Sequence, residues 1–189
     1  MANVDLSTYN NSWYHPGAGI LKRSLWHMVN HLIFTHGLLP FSSLKIRILR
    51  WFGAKVGLGV NIKPSVNIKY PWLLELGDHV WIGEKVWIDN LAMVTIGSHV
   101  CLSQGAMLLT GNHDFSRSTF DLKVGAISLE NGAWIGAKAI VCPGVLCGAH
   151  SILSVASVAT KNLEAHGIYR GNPAVKVKTR TVDIPTPIP

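Results

Sequence analysis

Among the nine histidines of this 189-residue chain, His113 is distinguished by its neighbours. It closes the segment Thr110-Gly111-Asn112-His113 and is followed by Asp114. An imidazole ionises near neutral pH, so a positioned histidine can take the proton of a hydroxyl as that hydroxyl attacks, which is worth roughly 10²–10⁴-fold in rate. Asp114 either orients the ring or caps the segment that follows; the sequence leaves both open. His79 and His99 stand 20 residues apart at equivalent places, with His150 in the same place further on, and read as turn residues. Cys101, Cys142 and Cys147 are odd in number and lack CxxC spacing. They read as reduced, partly buried side chains, neither a disulfide frame nor a zinc site.

The elements that must position His113 are written in sixes. "VGLGVN" (56–61), "IKPSVN" (62–67), "LGDHVW" (76–81), "IGEKVW" (82–87) and "IGSHVC" (96–101) each open on an aliphatic residue and place a small one fifth. After a break come "LENGAW" (129–134), "IGAKAI" (135–140), "VCPGVL" (141–146), "CGAHSI" (147–152) and "LSVASV" (153–158). Openers at 56, 76 and 96 are 20 apart, those at 129 and 147 are 18 apart, so the chain turns through three hexads with or without two extra residues. A strand this short cannot bury its apolar face alone and must stack on copies of itself about 4.8 Å away. The pattern therefore predicts an all-β solenoid, a triangular prism over 56–164 with the openers and the fifth residues inside. Glycines at the second place are expected to supply permissive turn angles. The count fails between His113 and Leu129, so residues 114–128 are expected as an outward loop that walls a cleft beside His113.

Residues 1–55 are of a different kind. The net charge of +7 lies entirely N-terminal, since residues 1–69 hold eight Lys/Arg against Asp5 alone. Helices are expected over 20–36 and 41–52. Phe41, Leu44, Ile48, Trp51 and Phe52 follow helical spacing, with Ser42 or Ser43 as cap. This apolar stripe either closes the open end of the prism or, with Lys45, Arg47 and Arg50, lies on an anionic membrane surface. The apolar stretch 25–41 is too short and too polar to span a bilayer, no secretory signal opens the chain, and a cytoplasmic location is expected. No nucleic-acid reader motif accompanies the charge. Residues 165–189 read as a C-terminal tail.

With "FGAKVG", "IKPSVNIKYPWLLELGDHVWIG", "TGNHD" and "RGNPAV", the chain resembles the hexapeptide-repeat acyltransferases, and within them the colanic-acid-type sugar O-acetyltransferases. The resemblance spans roughly residues 56–180. It implies a left-handed parallel β-helix, acetyl-CoA as co-substrate, no metal, and a homotrimer with clefts between neighbouring prisms. His113 becomes the general base for direct acetyl transfer to a sugar hydroxyl in exopolysaccharide assembly, on an acceptor that is free or lipid-linked. By register the coenzyme A contacts fall on Ala137, Val155, Thr160, Lys161 and Lys178. The Ala137 amide of an adjacent subunit would also serve as oxyanion donor. Read structurally, Thr160 and Lys161 could simply end the last coil and Lys178 belong to a solvated tail. One departure matters: the acceptor-binding asparagine of some relatives falls on Gly83 here. Asp5 and Tyr9 in the N-terminal arm, with Asp114 beside His113, could touch the sugar instead, or the arm could be a mere tether. The alternative on the same prism is a metal-dependent, γ-carbonic-anhydrase-like protein, but its H-x4-H histidine pair is missing.

Overall fold

The computed structural model describes residues 3–37 and 39–183; the ends of the expected N-terminal arm and C-terminal tail, 1–2 and 184–189, and position 38 lie outside the described residues. Residues 55–171 wind into a parallel β-solenoid with three stacked sheets. Its strands are two or three residues long through the body of the coil, as the hexads require. One sheet pairs Lys55, Glu75, Thr95, Ser128 and Leu146 in register; a second pairs Asn61, Trp81, Cys101, Trp134, Ile152 and Ile168; a third pairs Asn67, Trp87, Met107, Ile140 and Val158.

The interior columns are the ones the hexads predict. Ile62, Leu76, Ile82, Ile96, Leu129, Ile135, Val141, Cys147 and Leu153 are buried, as are the fifth residues from Val60 and Val66 to Ala139 and Val145. The second-place glycines, however, are present for a different reason than turn angles. Left-handed backbone falls two residues later, on His79, Lys85, His99, Lys138 and His150. Gly77, Gly83 and Gly136 are instead required by the coil above: a Cβ on Gly136 would lie 2.6 Å from the Val155 amide nitrogen. Backbone crossing that close leaves room only for hydrogen.

A parallel solenoid exposes a row of unpaired carbonyls at its first coil, an edge that invites aggregation unless it is covered. The N-terminal helices cover it. Helix α1 (Ile20–Val29) runs into a wider π-type turn over Asn30–Thr35, and helix α2 follows at Ser42–Trp51. Trp26, Phe34, Leu49 and Phe52 join the core of the prism. Their polar neighbours close the hydrogen bonds. Lys45, buried to 0% exposure, donates to the carbonyls of Ile62 and Lys63; Arg50 donates to those of Val56 and Gly57; Trp26 Nε1 donates to that of Ile68. Burial pushes the Lys45 ammonium below its ordinary pKa. Part of the N-terminal charge is therefore structural. The residue before α2 is Phe41, whose phenyl ring cannot cap; Ser42, expected there, is the first helical residue and bonds Ile62 instead, its hydroxyl accepting from the amide and donating to the carbonyl.

At the far end Gly167–Gly171 adds to the second sheet and turns back as Ala174–Thr179, so the expected tail begins as an antiparallel hairpin that lids the last coil. Among the described residues no helix is long and apolar enough to cross a membrane.

Candidate active site

All the extra residues of the prism leave at one corner, between the third and first sheets. The lower coils lengthen there by Lys69–Leu73 and Asn90–Met93. The next coil releases an antiparallel hairpin, Gly111–His113 against Leu122–Val124, before Ile127–Leu129 resumes the solenoid. The insertion expected over 114–128 thus starts three residues earlier, takes His113 with it, and ends before 127. Buried Asn90 and Thr110 staple this corner. Asn90 bridges the amide of Tyr70 and the carbonyls of Tyr70 and Leu73. Thr110 Oγ1 donates to the Asp89 carbonyl (2.9 Å) and accepts from the Ala92 amide (3.0 Å). A side chain on Gly111 would press on Leu91 Cδ1. The Thr-Gly-x-His segment is therefore a hinge with a staple, and His113 is what it presents.

His113 is half-buried and fixed on two sides. Its Nδ1 lies 2.9 Å from the carbonyl oxygen of Phe120, and its ring stacks on that of Phe120, centroids 4.4 Å apart and 9° from parallel. A carbonyl only accepts, so Nδ1 carries the proton, and in the neutral ring Nε2 keeps the lone pair. The tip that holds Phe120 in place is strained and charged. Phe120 has a left-handed φ of +51°, uncommon for a bulky residue. Asp114 accepts from the amide and hydroxyl of Ser116 and pairs with Lys123 at 2.9 Å, while Arg117 pairs with Asp121 at 2.9 Å. Hydrogen bonds from Ser116 first, then Lys123, hold the Asp114 carboxyl down at about 2. Asp114 therefore shapes the tip, and the group that orients the imidazole is the Phe120 carbonyl. No sequence pattern marks a main-chain carbonyl seven residues away.

The ring opens onto a cleft of about 470 Å³ that Tyr9, Tyr14, Arg23, Lys69, Tyr70 and Leu91 also line. The N-terminal arm closes one side. The Tyr9 ring is 5.8 Å from that of His113, and the Tyr14 hydroxyl donates to the Leu91 carbonyl at 2.8 Å. Burial, ahead of the nearby Tyr70 and Asp89, raises the Tyr14 pKa. Asp5 is exposed and spent on Ser7, whose hydroxyl first and then amide hold its carboxyl below the usual range; its own amide donates to the Ser118 carbonyl on the tip. It ties the arm to the hairpin and is not among the residues lining the cleft.

The residues expected against coenzyme A lie on the upper coils, away from the hairpin. Ala137 is half-buried at a corner, where its carbonyl accepts from the Ala156 amide; Val155, Thr160, Lys161 and Lys178 are exposed. One prism does not gather them around His113. Gly83 lies beneath the 102–104 backbone with no space for a side chain. His79 and His99 stack face to face, centroids 5.1 Å apart, as do His150 and His166. Among the described residues no group of three or more His, Cys, Asp or Glu side chains could hold a metal ion. Arg23 and Lys69 were not singled out for the cleft by sequence reasoning; their only signal was the basic excess before residue 70.

The chain belongs to the hexapeptide-repeat acetyltransferases. It is 36% identical over 176 residues to WcaF of Escherichia coli strain K12, a protein assigned as a colanic acid biosynthesis acetyltransferase, covering 93% of this chain and 97% of that one. A scan against protein-family models finds no match. The fold is shared with the hexapeptide-repeat acetyltransferase VCA0836 of Vibrio cholerae (TM-score 0.76, 22% identity, 84% of this chain and 90% of that one), a protein also solved with acetyl-CoA. It is shared too with a maltose O-acetyltransferase of Clostridium difficile 630 (TM-score 0.72, 19% identity, 86% and 88% covered).

Proposed function

We propose that the protein is an acetyl-CoA-dependent O-acetyltransferase that modifies a sugar hydroxyl during polysaccharide assembly. The observation that carries this reading is the His113 ring, which lines the cleft with its Nδ1 held on the Phe120 carbonyl, leaving Nε2 of the neutral ring to act as the base. Nε2 takes the proton of the acceptor hydroxyl as its oxygen adds to the thioester carbonyl. The tetrahedral intermediate then collapses, breaking the C–S bond, and the imidazolium returns the proton to the departing thiolate. No covalent enzyme intermediate is needed, because the thioester is already activated. The Ala137 amide of a neighbouring protomer would steady the oxyanion, and Val155, Thr160, Lys161 and Lys178 would line the coenzyme A groove. Kinship with WcaF, and neighbours solved with coenzyme A or acetyl-CoA, support the co-substrate and the pathway class.

The reading includes a homotrimer, and the three faces of the prism support it. Two outward faces carry apolar side chains, one with Trp81 and Trp134 exposed to 64% and 44%, the other with Met107, Ile140 and Val158; the third is more polar, with Lys55 paired with Glu75, then Thr95 and Ser128 before Leu146. Two different sticky faces per protomer suit a closed heterologous ring of three, with the third face left to water. The protein would work in the cytoplasm, where acetyl-CoA is made. It would touch the membrane surface through Leu21, Leu25, Met28 and Leu32, a helically spaced, exposed apolar stripe flanked by Lys22.

The test is His113→Ala with acetyl-CoA and a panel of sugar acceptors, read by mass shift. Transfer should fall by roughly 10²–10⁴-fold while coenzyme A binding persists. Transfer at wild-type rate would remove His113 from the chemistry.

A further inference from the structure

The acceptor cleft does not end at Arg23. Beyond it, between α1 with its π-type turn and the third sheet, runs a second cavity of about 600 Å³. Its walls include His27 and His31 from the helical side and Asp89 from the prism, and it shares Arg23, Lys69 and Tyr70 with the His113 cleft. The two cavities adjoin at these three residues, and His113 lines the smaller. Arg23 is the conspicuous group where they meet. Its Nε is buried without a hydrogen-bond partner, and the guanidinium pairs with no carboxylate among the described residues. Lys69 lies 2.9 Å from Asp89 Oδ1, without hydrogen-bond alignment. A buried, unsatisfied guanidinium N–H is costly to keep, and each such group calls for an explanation in a native structure. The planar fork of arginine matches the paired oxygens of a phosphate, and a lysine beside it adds a second point charge.

We infer that these adjoining cavities bind the phosphate or diphosphate of the acceptor. Arg23 grips it with Nε and a terminal nitrogen, Lys69 shares its charge between Asp89 and the ligand, and the attached sugar reaches past Tyr70 to His113. The inference deepens the function proposed above and rests on His113 being the acceptor's base. Two sources supply this chemistry, a soluble nucleoside-diphosphate sugar and a polyprenyl-diphosphate-linked sugar.

The experiment is calorimetric titration of the full chain with inorganic pyrophosphate, at saturating coenzyme A so that the co-substrate's own phosphate contacts are filled. Wild type should bind, Arg23→Ala should bind at least tenfold more weakly, and Arg23→Lys should fall between them, with circular dichroism confirming that each variant is folded. His113→Ala should bind as wild type does, so a failure of the catalytic assignment leaves this result standing. Displacement of pyrophosphate by a nucleoside-diphosphate sugar, or by a detergent-dispersed polyprenyl-diphosphate sugar, then names the source, and either outcome supports the inference. Wild type that fails to bind, equal binding by folded Arg23→Ala, or displacement by neither compound would overturn it.

Discussion

Replacing Thr110 by valine isolates what the staple behind the His113 hairpin does. The substitution keeps the shape and removes the hydroxyl. The Asp89 carbonyl tolerates the loss, because it still accepts from the amides of Leu91 and Thr110 at 3.1 and 3.2 Å. The Ala92 amide does not: Thr110 Oγ1 is its partner, and the site is half-buried. An orphaned buried donor costs about 1–3 kcal/mol, and partial exposure of Ala92 points to the lower half of that range, about 1–2 kcal/mol. A local loss of that size is a change of about 5–30-fold in the opening equilibrium. Amide hydrogen exchange reads it directly. Ala92 should exchange about 5–30-fold faster in Thr110→Val, while Thr110→Ser, which keeps the oxygen, should leave that amide close to wild type even though it loses a packed methyl. Because Leu91 walls the cleft, the acceptor KM should rise in the valine variant with the acetyl-CoA KM unchanged. If valine speeds Ala92 exchange no more than serine does, the hydroxyl is not holding this corner.

Three further expectations can be checked separately. The Asp114 carboxyl, held at about 2 mainly by Ser116 and Lys123, has a folded pKa below its ordinary value near 4; its support of the hairpin is complete above about pH 4 and lost as pH falls through about 2, and carbon-13 carboxyl titration with Asp114→Asn as the assignment control should find it there and not near 4. Burial pushes the Cys147 thiol up to about 12, so iodoacetamide at pH 8 should leave Cys147 unmodified in folded protein and label it after unfolding; labelling of the native chain at the rate of a free thiol would contradict that burial. Gly136→Ala drives a Cβ against the Val155 amide and the Leu153 carbonyl, and overpacking of this kind should cost about 1–3 kcal/mol or more; an unchanged urea midpoint, at fixed protein concentration, would mean the coils spread freely.

The prism was legible in the sequence because its constraint is repetitive and inward. Almost every coil must offer an aliphatic residue at one place and a small one four residues on, so columns such as Ile62–Ile82–Leu102–Ile135–Leu153 recur every 18 or 20 residues except across the hairpin. His113 was legible for the opposite reason, as the place where the repeat stops. What surrounds it was not. The Phe120 carbonyl is a backbone atom that any residue could supply, and its position depends on how four charged side chains of the tip pair in space. Arg23 reaches the cleft only because α1 lies across the prism, a packing that its own sequence does not encode. The reason for the second-place glycines was also misread. Local turn chemistry suggested permissive angles, whereas contact with the coil above, invisible to any local reading, is what excludes a side chain at Gly77, Gly83 and Gly136.

Every lengthening of the coil, from Lys69–Leu73 through Asn90–Met93 to the hairpin, emerges at a single edge, and the stacked interior never registers the difference. The length and chemistry of this edge are thereby separated from the packing of the core. An engineer could exchange one of these excursions for another of unlike length or chemistry and leave the aliphatic columns intact, treating the scaffold as a rack with three interchangeable slots. Chimaeras swapped at Thr110 and Ile127 would be the first to build.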